Sequence, residues 1–230
     1  KSNIMGFYRG PNIVTDGLVF AVDAGSERSY PGSGTSTSNI INNASGTLTN
    51  GVSYTSSNGG AFDFDGTDDF IAFPDDTNLN NQTLTMESWV QLDSTLAQEA
   101  FLFEKGQVNT QYSNFVATNS YLYFRTQGLS TVDKALNLAS YTSAGLWTHI
   151  TCTYGAGAKY IYINGVLRST QTGLTGTIPT NTTGLFLGAY GPGTSYFMDG
   201  KIAVSRVYNK ALTAAEVLQN FNAQKSRFGL

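Results

Sequence analysis

Apolar side chains in this chain recur at every second position, in short runs, and seldom at helical spacing. Leu84, Met86, Val90 and Leu92 fall on one face of an extended segment, with Ser88 between them. Phe62 and Phe64 alternate with Asp63 and Asp65 in the same way. A period of two sends alternate side chains to opposite faces, which is the pattern of a half-buried strand. Gly155 and Gly157 separate the runs 147–154 and 159–163, and Asn164-Gly165 turns the chain into 166–168. Both are hairpin signals, since Gly and Asn accept the positive φ that tight hairpins require. Similar runs at 18–23, 60–65, 69–73, 100–104, 114–117, 120–126, 185–188 and 200–208 bring the expected total to about a dozen strands, more consistent with two packed antiparallel sheets than with βαβ units.

Composition agrees where it matters. Aromatic residues make up 13% and charged residues only 13%, and glycine supplies 25 of the 230 positions. Such a chain is poor in helix formers and rich in strand and turn residues. Its length suits one large sandwich, and no internal repeat or linker divides it. We expect an N-terminal arm over residues 1–15 and a single domain over 16–230. Residues 24–60, dominated by Ser, Asn, Thr and Gly, read as a long surface loop with one short strand at most. One helix is expected near the C-terminus. Thr213 and Glu216 have capping-box spacing, Leu212 and Val217 form a hydrophobic staple, and Val217, Leu218 and Phe221 make an apolar face. Such a helix would lid one end of the sandwich. The strands carrying Trp89 and Trp147 are expected to build the core.

The formal charge of −3 and a pI near 5.0 argue against nucleic-acid binding, which needs a basic patch to displace counterions. No run of 18 apolar residues is present for membrane insertion, and the chain shows no apolar signal-peptide core near Lys1. Cys152 stands alone, so neither an internal disulfide nor a cysteine zinc site is expected.

Catalytic patterns are missing as well. Glycoside hydrolysis generally needs two carboxyl groups about 5–9.5 Å apart. On a strand that would read Glu-x-Asp-x-Glu, and none of Glu27, Glu87, Glu99, Glu104 and Glu216 sits in such a run. His149 and Cys152, three residues apart on a strand, point to opposite faces. We expect no enzyme activity, and a structural role for His149.

Several segments match a known family in order. They are 11–25 (PNIVTDGLVFAVDAG), 29–35 (SYPGSGT), 59–71 (GGAFDFDGTDDFI), 84–90 (LTMESWV), 147–154 (WTHITCTY), 160–165 (YIYING), 202–212 (IAVSRVYNKAL) and 219–229 (QNFNAQKSRFG). In this order the chain resembles the concanavalin A-like jelly rolls of laminin G-like type, most closely those in structural proteins of marine tailed bacteriophages. The resemblance implies an all-β jelly-roll sandwich of two antiparallel sheets with one short C-terminal helix. It also implies a non-enzymatic protein of the virion surface, as capsid decoration or fibre, meeting capsid or other virion proteins and host-surface glycans. Ala203 and Val204 stand where cellular relatives often carry an acidic pair, so the acidic ligand role of those relatives does not carry over to these positions.

Two sets of residues carry candidate binding chemistry. Asp65, Asp68 and Asp69 crowd hard oxygen donors around Gly66, the donor type that Ca²⁺ requires. Loop-borne Tyr and Asn offer rigid faces and planar hydrogen bonding for sugars, and Asn109, Tyr112, Asn114, Tyr190 and Tyr196 are the candidates. A sandwich whose edge strands have few guarding charges is expected to form a homo-oligomer or dock on a lattice. A carbohydrate-binding or adhesion module of a secreted bacterial protein is the alternative reading, and a glucanase-like hydrolase is the third.

Overall fold

The computed structural model describes residues 11–93, 99–106, 111–117 and 120–230. Sixteen strands lie among them. The first eight are β1 (Leu18–Asp23), β2 (Ser36–Ser38), β3 (Ser45–Thr49), β4 (Ser53–Thr55), β5 (Ala61–Asp65), β6 (Phe70–Phe73), β7 (Leu84–Leu92) and β8 (Ala100–Lys105). The rest are β9 (Tyr112–Val116), β10 (Tyr121–Thr126), β11 (Asp133–Asn137), β12 (Trp147–Gly155), β13 (Ala158–Ile163), β14 (Val166–Gln171), β15 (Leu185–Leu187) and β16 (Asp199–Tyr208). A single α-helix, α1 (Ala214–Gln224), follows.

Two antiparallel sheets result. The first runs β14-β13-β12-β7-β16-β5-β4, and the second runs β11-β10-β9-β8-β15-β6-β3-β2. β16 is long enough to serve two partners along one edge. β5 pairs with residues 199–202 and β1 with residues 204–208. A register shift between Ile202 and Val204 against β7 marks the changeover. The hairpin turns form as their residues dictate: Ala156 and Gly157 have φ of 50° and 70°, and Asn164 and Gly165 have 52° and 76°. Two consecutive positive φ values twist the backbone to match right-handed strands.

The main core lies between the sheets, where Phe20, Phe62, Phe64, Phe103, Phe124, Ile150, Ile161 and Leu187 pack together. Cys152 belongs to this core, whereas His149 lies against Trp89 on the opposite face of the first sheet. The helix has both halves of the capping box: Thr213 Oγ1 accepts from the Glu216 amide, and Glu216 Oε2 accepts from the Thr213 amide. Leu212 and Val217 share one buried cluster, as a staple requires.

The helix does not lid an end of the sandwich. It lies across the outer face of the first sheet, where Asn220 reaches Glu87 on β7 and Tyr208 on β16. Trp89 is therefore buried outside the main core, stacked against Phe221 and Phe228 at centroid distances of 5.7 and 4.1 Å. Trp147 joins the same cluster. Leu218, expected on the apolar face, is 44% exposed, because the helix rests on Val217 and Asn220. Part of the expected arm is tied down: the Val14 amide donates to Asn220 Oδ1 at 2.7 Å, and Tyr208 donates to the Val14 carbonyl at 3.1 Å.

Residues 24–60 correct the expectation of a loop with one strand, for they hold β2, β3, β4 and a 3-10 turn. These strands are short, and only Thr37, Gly46 and Leu48 within them are buried. The apolar alternation that marks a strand in sequence is almost missing there. No helix among the described residues is long and apolar enough to cross a membrane.

Candidate functional site

The outer faces of the two sheets differ. Helix α1 and the C-terminal 3-10 turn cover part of the first, over a buried ionic cluster. Glu87 accepts from the Arg206 guanidinium and, at 2.6 Å, from Asn220 Nδ2, while His149 Nε2 lies 3.5 Å from Glu87 Oε1. Burial alone would push the Glu87 carboxyl up, but Arg206, then His149 and Asn220, pull it down to about 2. Glu87, His149 and Asn220 have no solvent exposure and Arg206 is nearly as buried, so the cluster clamps the helix onto the sheet and is closed to ligands.

The outer face of the second sheet carries two cross-strand rows. Register places Phe101 opposite Phe115 and Phe115 opposite Tyr123. Their rings stack in a column, with centroids 4.5 and 5.1 Å apart and interplanar angles of 12° and 6°. One step along the same strands, register aligns Glu104, Ser113, Arg125 and Asp133. Arg125 grips Asp133 through Nε and Nη2 at 2.8 and 2.9 Å, and its guanidinium lies 4.7 Å from the Phe115 ring centroid. The loop between β15 and β16 closes the column beside β8. There the Phe101 amide donates to the Tyr196 carbonyl at 3.2 Å, and the Tyr190 ring sits 4.7 Å from Phe101 and 5.6 Å from Tyr196.

Glu104 is buried beneath this face, with Oε2 lacking a hydrogen-bond partner. Burial pushes its carboxyl up to about 8, against the opposing pull of Ser113 and Arg125. The row is thus close to neutral around pH 7, with Glu104 largely protonated and Arg125 balanced by Asp133. Glu104 and Asp133 are three strand spacings apart, about 14 Å. That is too wide for the paired carboxyl groups of a glycoside hydrolase.

The sugar candidates divide. Tyr190 and Tyr196 meet at the end of the column, and Tyr196 is 39% exposed. Tyr112 and Asn114 face the other way: they are buried on the inner side of β9, and Tyr112 donates to the Leu79 carbonyl at 2.9 Å. Neither offers a surface to a glycan, because the strand begins at Tyr112 and alternation turns these two inward. Asn109 lies outside the described residues. Tyr123 and Arg125 were missed. Alternation over 121–126 marks both as outward-facing, but only register with β9 and β11 shows what stands beside them.

The acidic cluster forms as its spacing suggests. One carboxylate oxygen from each of Asp65, Asp68 and Asp69 lies within 4.8 Å of the others. Gly66, at φ 74°, makes the turn, and a Cβ there would come within 2.9 Å of the Asp199 Cβ. Asp69 Oδ2 accepts from the Asp65 amide at 3.1 Å, and Asp65 Oδ1 accepts from the Thr67 amide at 2.8 Å. Asp69 Oδ1 is buried with no partner. Burial, then the charges of Asp65, Asp68 and Asp63, hold the Asp69 carboxyl above its usual range, although the Asp65 amide opposes this. A buried, unpartnered carboxylate oxygen beside two exposed carboxylates fits a hard cation, which would complete its shell with water.

Two antiparallel sheets, one outer face strapped by a helix and the other lined by aromatic and polar rows, define a lectin-type jelly roll. The family model of the concanavalin A-like lectin/glucanases superfamily matches residues 65–218, and the chain belongs to that superfamily. Solved structures agree on the fold. Domain 4 of the GH43 extracellular arabinanase AbnA from Geobacillus stearothermophilus, in complex with arabinotriose, superposes with a TM-score of 0.68 at 19% identity, covering 89% of this chain and 98% of that one. Trypanosoma rangeli sialidase in complex with sialic acid gives 0.71 at 14% identity, covering 95% of this chain and 35% of that one. The receptor-binding domain of botulinum neurotoxin C/D mosaic serotype gives 0.69 at 13%, covering 92% and 52%. The chain thus spans about a third of the sialidase. A comparison with curated protein sequences gave no match.

Proposed function

We propose that this protein is a non-enzymatic glycan-recognition module displayed on a phage virion, as capsid decoration or fibre. The observation that carries glycan recognition is the outer face of the second sheet where it is reachable, at Tyr196 and along β10 and β11, where the half-buried Tyr123 ends an aromatic column beside the Arg125–Asp133 pair. Stacking surface next to planar hydrogen-bonding groups is what a sugar demands. The wide separation of Glu104 and Asp133 supports binding without hydrolysis. The virion address rests on the ordered sequence resemblance to phage structural proteins. Low surface charge also suits a particle in high salt, where screening over about 3–8 Å weakens ion pairs. The alternative is an adhesion module of a secreted bacterial protein. It is favoured by the match to nearly the whole of an arabinanase domain solved with arabinotriose.

A bound Ca²⁺ is part of the same proposal, with Asp65, Asp68 and Asp69 supplying ligands. The ion would neutralise three crowded carboxylates and brace the turn between β5 and β6. Assembly is part of it too. The edge strand β14 exposes Val166 and Leu167 and has Arg168 as its one charged residue, so a second copy can pair with it about a two-fold axis.

A glycan array probed with the purified protein, alongside Tyr190→Ala and Tyr196→Ala, tests recognition. Binding by the wild type that falls about tenfold in the variants supports it, and a blank array contradicts it. Mass spectrometry of purified virions tests the address, and absence from the particle leaves the secreted-module reading. Release of reducing sugar from the bound glycans would contradict the non-enzymatic assignment.

A further inference from the structure

We infer that the glycan site has a dedicated sugar-ring subsite at the β10–β11 edge, formed by Tyr123 over Ala135, and that it takes a neutral sugar residue. This deepens the glycan reading and rests on it. Most ring faces in the aromatic column are consumed internally. Phe101 and Phe115 are 1% and 2% exposed, held between Tyr190 and Tyr123, with Arg125 over Phe115. Such rings cannot stack on a ligand. Tyr123 ends the column and is only half-buried. Among the described residues, Phe115 alone stacks on it.

Register determines what stands beside the far face of Tyr123. Three consecutive outward rungs join β10 to β11: Arg125 opposite Asp133, Tyr123 opposite Ala135, and Tyr121 opposite Asn137. On β11 the middle rung carries only the Ala135 methyl group, between the planar side chains of Asp133 and Asn137. Same-face residues on a strand are about 6.5–7 Å apart, so the short middle rung leaves a notch as wide as a sugar ring. One wall is the tyrosine face, and its ends are planar polar groups. β11 is the outermost strand of its sheet, so the notch opens at the edge and admits a terminal residue.

The chemistry selects the occupant. The apolar C–H face of a sugar stacks on Tyr123, while Asp133 and Asn137 are placed to receive hydroxyl groups. Arg125 already holds Asp133 through two hydrogen bonds, so the notch carries no net cation to attract an acidic sugar.

Calorimetric titration with arabinotriose, cellotriose, mannotriose and 3′-sialyllactose tests this on the full chain. The variants are Ala135→Leu, which fills the notch, and Thr170→Leu, which places the same side chain on the edge of the other sheet. Melting curves first establish that each is folded. We expect a neutral trisaccharide to bind the wild type, a loss of at least tenfold in Ala135→Leu, and a change under threefold in Thr170→Leu. Unchanged binding in Ala135→Leu overturns the subsite and leaves glycan recognition standing. Selective binding of 3′-sialyllactose overturns the neutral class. Failure of the wild type to bind any of the four overturns the subsite together with the reading beneath it.

Discussion

Two buried glutamates show how environment, more than residue type, decides what a side chain does here. Glu87 and Glu104 are almost equally hidden, yet one carboxyl is drawn down to about 2 and the other pushed up to about 8. Arg206, Asn220 and His149 surround Glu87, whereas Glu104 has Ser113, a more distant Arg125 and one unpartnered oxygen. Opposite pH dependences follow. Glu87 titrates in the fold below its ordinary 4.5, so its stabilisation is present above that pH and lost as pH falls toward about 2. Glu87→Gln strands Arg206 without its charge partner and should cost about 3–5 kcal/mol near pH 7. Denaturant unfolding between pH 7 and pH 2 checks this, and the gap to wild type should narrow on acidification. Glu104 titrates above its ordinary 4.5, so its burial opposes folding increasingly as pH rises from there through about 8. Glu104→Gln should therefore melt above the wild type at pH 9 and match it near pH 4. Neither environment is legible in the sequence, because Arg206 and Asn220 lie more than 100 residues from Glu87 and meet it only through sheet pairing and the docking of the helix.

At the scale of elements, the strands were legible wherever apolar alternation ran for four residues or more, as in β7, β12 and β16. They were not legible in β2, β4 or β11, which carry mostly polar residues. β11 was absent from the expected set, and with it went half of the site, since Asp133 and Ala135 lie on that strand. The phase of β9 was the other gap. A segment read as a sugar-binding loop is a strand, and its outward residues are Ser113 and Phe115, not Tyr112 and Asn114. The C-terminal helix was legible in its cap and staple but not in its seat. Trp89, His149 and Glu87 cover the outer face of β7 and β12 with groups that need burial or pairing, and the helix supplies both. Thr213→Ala should destabilise the protein by about 1 kcal/mol. Trp147→Ala should cost about 3–5 kcal/mol, for the ring is buried against Phe228 and donates to Asn58 Oδ1 at 3.1 Å. Thermal melts of both variants check these values.

At the scale of the whole molecule, the sandwich has one face strapped shut and the other reachable at Tyr196 and along β10 and β11, with the acidic turn at Asp65, Asp68 and Asp69 where β5 leads into β6. With free Ca²⁺ at 100 times its dissociation constant, occupancy would stabilise the fold by about 2.7 kcal/mol. A chelator should lower the melting temperature of the wild type but not of Asp69→Asn, and identical wild-type melts would show that the cluster is a set of backbone-bonded turns. Pairing of β14 edges predicts a dimer in sedimentation at micromolar concentration, converted to monomer by Leu167→Lys. A wild-type monomer would leave docking on a larger shell as the remaining assembly route. The outer face of the second sheet is the claim on which function turns, and backbone amide shifts in an NMR titration with the tightest-binding glycan read it most directly. We expect the shifts to cluster on β8–β11 and the loop carrying Tyr190 and Tyr196. Shifts confined to the helix-covered face of the first sheet, or no shifts at millimolar glycan, would contradict it.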